Sequence, residues 1–312
     1  MKKHIKLISG LITLTIIFLL GLLSVEFLGE YGWTVFVFLP FLIGFLPPYI
    51  SGYQTELSRK DCYGLSFGTL GGAIFGLLVF AMEGIICIVM ASPILIILTL
   101  LGSYIAYLIH KRKSPVSPID STMILLLSSI GFMGFDYANN TPTFIPVKTQ
   151  VTVNAPIKNV WENVVTFNKI DEPTDWIFKT GISYPTDATI EGEGIGAVRY
   201  CNFTTGSFVE PITTWEPPTL LQFDVVEQPI PMHEWNPFWE VHPPHLDGYF
   251  QSYKGQFALT AINENTTQLE GTTYYKVDIQ PEWYWKNWSD FIIHRIHERV
   301  LNHIKQETED KK

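Results

Sequence analysis

Basic side chains are scarce in the first 140 residues, where every Lys and Arg belongs to one of three clusters, at Lys2, Arg59 and Lys111. The stretches between these clusters are long and apolar. About 20 consecutive apolar residues cross the hydrocarbon core of a bilayer as a helix, so this pattern excludes an ordinary soluble fold. It predicts a multi-pass α-helical membrane domain over residues 1–140, with spans at 5–25, 33–53, 65–82, 84–110 and 119–135.

The distribution of charge predicts how these spans are oriented. With the N-terminus in the cytoplasm, alternate loops place all three basic clusters inside, as the positive-inside rule requires. The loops left outside carry Glu26, Glu30, Glu83 and Asp136 and no basic residue. The fifth segment is short for a span, and whether it crosses decides the side of everything after it. We expect it to cross, which predicts an integral plasma-membrane protein with an extracytoplasmic C-terminal domain.

The third span contains a pair of small residues. Gly72 and Gly76 form a GxxxG pair. Such a pair would allow close helix packing, but the motif is common by chance in apolar helices, so the sequence leaves open whether it marks a contact.

Other scarcities narrow the function. Ionisable residues inside spans commonly mark ion or proton paths, and their near absence here disfavours a pump or channel. The net charge of −9 argues against nucleic-acid binding, which needs a basic face. The three cysteines lie far apart and form no zinc-ligand spacing. We therefore expect no metal, cofactor or nucleic acid, and expect the lipid bilayer and a hydrophobic small molecule or lipid as partners.

Charged residues and tryptophans become frequent in residues 147–312, which we interpret as a second domain behind a linker at 141–146. Residues 147–153 alternate as a half-buried strand does. Asn154 is the expected N-cap of the next helix. Later strands are predicted at 197–203, 207–215, 220–227, 249–262 and 268–279, before an amphipathic helix at 282–307. This order predicts an α+β domain whose antiparallel sheet wraps the C-terminal helix.

Four segments of this domain stand out by their order and separation: VTVNAPIKNVWENV, GEGIGAVRYCNFTTGSFVEPITTWEPPTLLQFDV, SYKGQFALT and HERVLNHIKQETE. Together they resemble the START-like (SRPBCC) superfamily, in its polyketide cyclase/dehydrase and lipid-transport branch. The resemblance covers nearly all of residues 147–307 and none of the membrane part. It implies a helix-grip fold with a deep cavity for lipids, sterols, polyketides or other apolar molecules. Because some members are enzymes and many only bind, it leaves the activity open.

Two charged residues on adjacent predicted strands are candidates for binding a polar head group. Arg199 and Glu210 both have apolar or small sequence neighbours. If they face inward, they pair across the sheet inside the cavity. If they face outward, they form an exposed ion pair worth about 0–1 kcal/mol. The sequence leaves both arrangements open.

The segment PIPMHEWNPFWEVHPPHLD, residues 229–247, is too long and proline-rich for a hairpin turn. We interpret it as an aromatic lid over the cavity, with its tryptophans at the membrane interface, where amphipathic rings are favoured. Its histidines and carboxylates leave a metal site or His–Glu acid–base catalysis as alternatives. We interpret His294 and His297 as a solvated helix face. The candidate cavity or mouth residues are Arg199, Glu210, His233, Trp235, Trp239, Tyr275, Trp285, Ile292 and Ile296, with no catalytic residue assigned.

Three functions are consistent with these features. The favoured one is a membrane-tethered START-like domain that binds a hydrophobic ligand, with lipid expected, between sheet and C-terminal helix. The alternatives are a cavity enzyme of cyclase/dehydrase or hydrolase type, using His233, Glu234 or Arg199, and a ligand-responsive membrane sensor. The sequence shows no paired nucleophile and base and no cytoplasmic output domain, which favours binding.

Overall fold

The computed structural model describes residues 2–111, 118–138 and 143–310. The chain forms two compact units. The first comprises Met1–Thr141 together with the two short segments Glu234–Pro243 and Ile279–Glu282. The second comprises Pro142–His233, Pro244–Asp278 and Trp283–Lys312. The expected domain division after residue 140 stays a prediction, and two segments of the C-terminal half belong to the first unit.

The first unit is helical, as its long apolar stretches predict. Among the residues that the structure describes, four helical stretches are long and apolar enough to cross a membrane by length and composition: His4–Phe27, Thr34–Gly52, Arg59–Val79 and Ile85–Lys111. A fifth helix forms over the short candidate segment, but the side chains of its first turns lie outside the described residues, so its crossing stays a prediction. The helices are α1 Lys2–Leu22, α2 Leu39–Gly52, α3 Arg59–Val79, α4 Ile85–Lys111 and α5 Pro118–Ala138, with π turns at Leu23–Phe27 and Thr34–Phe38.

Glycines allow the helices of this unit to approach closely. A Cβ atom on Gly76 would lie 2.5 Å from the ring of Phe18, and one on Gly72 would lie 3.3 Å from Leu14. The GxxxG pair, which the sequence left open, thus lies at a helix contact whose partner is α1. Helices α2 and α4 are closer still, because a Cβ on Gly44 would lie 2.1 Å from the carbonyl oxygen of Thr99.

A buried carboxylate joins α5 to the start of the second helical stretch. Asp136 is 4% exposed, although the sequence placed it in a loop outside the membrane. It accepts hydrogen bonds from the backbone N–H of Trp33 at 2.8 Å and from that of Thr34 at 2.9 Å. The Thr34 hydroxyl also donates to it, at 2.7 Å. These N–H groups have no partner within their own helix, so Asp136 caps that helix from α5.

The second unit is one antiparallel sheet with a long C-terminal helix, as expected. Its strand order is β1-β7-β6-β5-β4-β3-β2. The helix α7 lies against the sheet, since Val300, Leu301 and Ile304 share a buried core with Leu221 and Leu269. The strands are β1 Ile145–Val153, β2 Pro185–Glu191, β3 Val198–Phe203, β4 Gly206–Glu216, β5 Leu220–Asp224, β6 Phe250–Asn263 and β7 Thr266–Val277, and the helices are α6 Ile157–Val165 and α7 Glu282–Glu309.

Two local predictions for this unit were wrong. Strand β2 was not predicted, because its sequence PTDATIE mixes Pro and Asp with few apolar residues. The residue that caps α6 is Pro156, without a side-chain hydrogen bond, rather than Asn154. The backbone N–H of Asn154 instead donates to the Glu309 carboxylate at 2.7 Å, which joins the end of β1 to the end of α7.

Candidate functional site

A cavity of about 140 Å³ lies between the sheet and α7 within the second unit. Its wall is mostly apolar, with aromatic side chains on β3, β4, β5 and β6. Four of the nine candidate residues line it: Arg199, Glu210, Ile292 and Ile296. The wall also includes Cys201, Phe223, Lys254, Phe257, Thr273, His297 and the stretch from Gln228 to Pro231.

Arg199 and Glu210 face the inside of the cavity, so of the two arrangements that the sequence left open the structure shows the inward one. Arg199 and Glu210 are directly opposite each other in the β3–β4 ladder, and their side chains are 1% and 6% exposed. The guanidinium donates through Nη1 to the Glu210 carboxylate and through Nε to the Val165 carbonyl oxygen at 3.3 Å. The third nitrogen, Nη2, is buried and has no hydrogen-bond partner among the described residues.

Aromatic rings surround the Arg199 guanidinium. Its Cζ lies 5.6 Å from the ring centroid of Phe167 and 5.5 Å from those of Phe223 and Phe257. Ring faces attract a cation, and this attraction strengthens where water is excluded. The aromatic rings therefore stabilise the charged form of a side chain that has almost no contact with water.

Burial acts on the pKa values of this cluster. Desolvation is the largest influence and lowers the pKa of Arg199, but the Glu210 charge, the hydrogen bond to Glu210 and the Cys201 sulfur together outweigh it, so the pKa is raised above its ordinary value. Burial also raises the pKa of Glu210, an effect that the Arg199 charge opposes. For the neighbouring Cys201 thiol, burial raises the pKa to about 12. Cys201 is therefore protonated at neutral pH and is a poor nucleophile.

The interpretation of His297 as a solvated residue was wrong. Its Nε2 is 2.8 Å from the Thr273 hydroxyl and its Nδ1 is 3.0 Å from the Thr149 hydroxyl, and it lines the cavity. Burial, and secondarily the nearby His294, lower its pKa from 6.5 to about 4. The imidazole is therefore neutral at pH 7, while His294 is exposed.

Three candidate residues of the second unit lie outside the cavity wall. Tyr275 is fully buried and donates through its hydroxyl to Asp290 at 2.7 Å, which ties β7 to α7. Trp285 is buried in the first turns of α7. His233 is exposed, and its backbone N–H donates to the Gly181 carbonyl oxygen at 2.9 Å. None of these three side chains forms part of the cavity surface.

The segment interpreted as a lid is divided between two roles. Its beginning, Pro229 to Pro231, lines the cavity. Its middle, Glu234–Pro243, belongs to the first unit and includes the candidates Trp235 and Trp239. Within that unit the Trp239 indole N–H donates to the Val79 carbonyl oxygen at 2.8 Å. Trp235 and Trp239 therefore do not line the cavity.

The same middle part covers the turn between α3 and α4. The Glu234 carboxylate accepts the N–H groups of Ile86 at 3.2 Å and of Cys87 at 2.9 Å. The Asn236 amide donates to the carbonyl oxygens of Leu78 at 3.0 Å and of Glu83 at 3.1 Å. Helix ends leave such groups without partners, so this segment completes the end of α3 and the start of α4.

Comparison with solved structures finds similar folds over just over half of the chain. A norcoclaurine synthase point mutant of Thalictrum flavum, in complex with a transition-state analogue, is 12% identical, covers 55% of this chain and 99% of its own, and has a TM-score of 0.35. An aromatase/cyclase of Streptomyces sp. R1128 is 15% identical, with coverages of 54% and 96% and a TM-score of 0.34. A protein of Nitrosospira multiformis is 18% identical, with coverages of 54% and 100% and a TM-score of 0.35. No family model matches the chain, and no curated protein matches it.

Proposed function

We propose that this chain is a multi-pass membrane protein whose C-terminal, START-like domain binds a hydrophobic ligand. The observation that carries the proposal is the cavity between the sheet and α7, whose wall is mainly apolar and contains one buried ion pair. Ligand sites are concave, mostly apolar and fitted with a few polar groups that fix orientation. This cavity has that composition.

The surface of the helical unit supports the membrane part of the proposal. Large apolar side chains are exposed along its helices, including Leu7 at 65%, Leu19 at 64% and Ile97 at 63%. Soluble proteins rarely expose contiguous apolar surface on this scale, because it is unfavourable in water. Contact with acyl chains removes that cost.

The ligand-binding proposal predicts that the full-length protein, purified in mild detergent, carries a substoichiometric to stoichiometric apolar compound detectable by mass spectrometry of an organic extract. Ile296→Trp places a larger side chain in the cavity wall and is expected to lower the bound amount at least about tenfold, since overpacking leaves no room for a guest. Ile262→Trp, the same substitution at an exposed position of β6 outside the cavity wall, is the matched control. A compound present equally in all three proteins would be detergent-borne contamination and would contradict the proposal.

We also propose that the second unit lies outside the cytoplasm. Two contacts support the proposal that the three basic clusters, at Lys2, Arg59 and Lys111, lie at the same end of the helical unit. Lys6 pairs with Asp61 at 2.7 Å, and the Arg59 guanidinium lies 4.9 Å from the Tyr104 ring near the end of α4. By the positive-inside rule that end is cytoplasmic.

Contacts at other helix ends support the same orientation. The C-terminal part of α5 reaches the start of the α2 stretch through Asp136 and Thr34. The Gln280 N–H donates to the Tyr31 carbonyl oxygen at 2.9 Å, and Asn236 holds the α3–α4 turn. The segments that come from the C-terminal half thus bind the turns that carry Glu30 and Glu83, which have no basic residue.

This orientation predicts the outcome of cysteine labelling in intact cells. A cysteine at Asn265, in the exposed β6–β7 turn, is expected to react with a membrane-impermeant maleimide added outside. A cysteine at Glu56, in the exposed α2–α3 loop, is expected to react only after the cells are opened. The opposite pattern would place the second unit in the cytoplasm, and it would leave the ligand proposal intact.

A further inference from the structure

The volume of the cavity limits the size of its ligand. The cavity measures about 140 Å³. An engineered apolar cavity of about 150 Å³ holds one benzene molecule. One ring or a short branched chain therefore fills this space, whereas a diacyl lipid does not fit within it.

The unsatisfied donor of Arg199 limits the chemistry of the ligand. Two of the three guanidinium nitrogens already donate, to Glu210 and to the Val165 carbonyl oxygen. The remaining Nη2 is buried without a partner among the described residues, on a side chain that lines the cavity. An unmet charged donor in a water-excluded site is unfavourable, so a ligand oxygen that accepts from Nη2 gains a strong hydrogen bond.

The charge balance distinguishes between a neutral and an anionic acceptor. Glu210 already neutralises Arg199, and both side chains are almost completely buried. A carboxylate ligand beside them would bring a second negative charge into the same desolvated cluster. A buried charge without a partner is strongly unfavourable, because its lost hydration is not replaced. A carbonyl or ether oxygen accepts from Nη2 without adding charge.

We propose that the cavity takes a small uncharged molecule, about one ring in size, whose oxygen accepts a hydrogen bond from Nη2 of Arg199. This inference rests on the proposed ligand-binding function and narrows it. It departs from the lipid expected from the sequence, since it excludes both a diacyl lipid and a fatty-acid carboxylate as the occupant of this cavity.

Three compounds of similar shape test the inference on the full-length protein in detergent: acetophenone, benzoate and isopropylbenzene. Isothermal titration calorimetry gives their dissociation constants, and Ile296→Trp in the same micelles corrects for partitioning. We expect acetophenone to bind at least about tenfold more tightly than isopropylbenzene, which lacks the acceptor, because hydrogen bonds to charged groups have about this strength. We also expect it to bind more tightly than benzoate. Equal affinities for the three compounds, or a preference for benzoate, would overturn the inference.

A substitution that removes the neutralising carboxylate should reverse the preference. In Glu210→Gln the guanidinium charge is no longer balanced, so benzoate is expected to gain at least about tenfold and to overtake acetophenone. Glu270→Gln, which removes a carboxylate on β7 outside the cavity wall, is the matched control and should leave the order unchanged. Lys254 also lines the cavity, and an anion held there would bind Glu210→Gln and the original protein equally, which would refute the charge argument.

The outcomes separate this inference from the function on which it rests. A co-purifying diacyl lipid or fatty acid whose bound amount falls in Ile296→Trp would overturn the inference and support the ligand-binding function. Failure of all three phenyl compounds to bind overturns the inference as well. The ligand-binding function itself is refuted only if no compound shows a bound amount that falls in Ile296→Trp. If Glu210→Gln does not fold, the comparison of the three compounds on the unsubstituted protein still decides.

Discussion

Glu210→Ala is expected to destabilise the second unit by about 3–5 kcal/mol, the range found when one partner of a buried ion pair is removed. Arg199 is 1% exposed, and the substitution leaves its guanidinium without its carboxylate partner. The rings of Phe223 and Phe257 still attract the guanidinium charge and so offset part of the lost stability. They do not replace the carboxylate as acceptor of the guanidinium N–H groups. Chemical denaturation of the full-length protein in detergent, followed by tryptophan fluorescence, measures the change.

Two comparisons show whether burial is the cause. Glu298→Ala breaks the exposed pair with Arg295, whose atoms are 2.9 Å apart and whose side chains are 42% and 45% exposed, and should cost at most about 1 kcal/mol. The double substitution Arg199→Met with Glu210→Leu removes both charges, and it should recover most of the stability lost by Glu210→Ala. If Glu210→Ala is no more harmful than Glu298→Ala, the pair is hydrated and the account of the cavity is wrong.

Gly44→Ala is expected to disrupt the helical unit, with a loss of at least about 1–3 kcal/mol, because the added methyl group has no room. Its Cβ would lie 2.1 Å from the Thr99 carbonyl oxygen, which belongs to the backbone and moves only if α4 moves. The Ser66 hydroxyl, which donates to the Gly44 carbonyl oxygen at 2.6 Å, would be displaced as well. Thermal denaturation of the detergent-solubilised protein, followed by light scattering, checks the effect.

Gly68→Ala on α3 is the matched control for this prediction. A Cβ on Gly68 meets no atom within 4 Å. Alanine is intrinsically the better helix former by about 0.5–1 kcal/mol, so stability should be unchanged or slightly higher. A similar loss for both variants would mean that glycine is needed for backbone freedom along these helices, and not for the contact between α2 and α4.

The patterns with a fixed period predicted most of the architecture. The predicted strands placed Arg199 and Glu210 on neighbouring strands but did not decide which face is buried, and only the structure shows the two residues opposite each other. The position of His297 was readable from helix spacing, because it lies four residues after Ile293 and three before Val300, both buried. It was misjudged because histidine is usually a surface residue. Strand β2 has too few apolar residues for its period to be recognised.

Contacts between distant segments could not be predicted from local sequence. Asn236 donates to the carbonyl oxygen of Leu78, 158 residues earlier in the chain. The aromatic and proline content of the segment around it indicates only that it is not a hairpin turn. Its partners are backbone groups at helix ends, which have no residue-specific signature. For the same reason, the sequence did not indicate that part of the expected lid belongs to the helical unit.

The path of the chain has a consequence for dissecting this protein. The polypeptide leaves the second unit at Glu234, returns at Pro244, and leaves again for Ile279–Glu282. A single cut in the linker at 141–146 therefore cannot produce two complete pieces. The N-terminal piece would lack the groups that satisfy Ile86, Cys87 and Leu78, and the C-terminal piece would carry Glu234 and Asn236 with nothing to bind. The two units are therefore expected to be inherited together, because recombination could exchange one whole unit only by replacing three separate stretches of the gene.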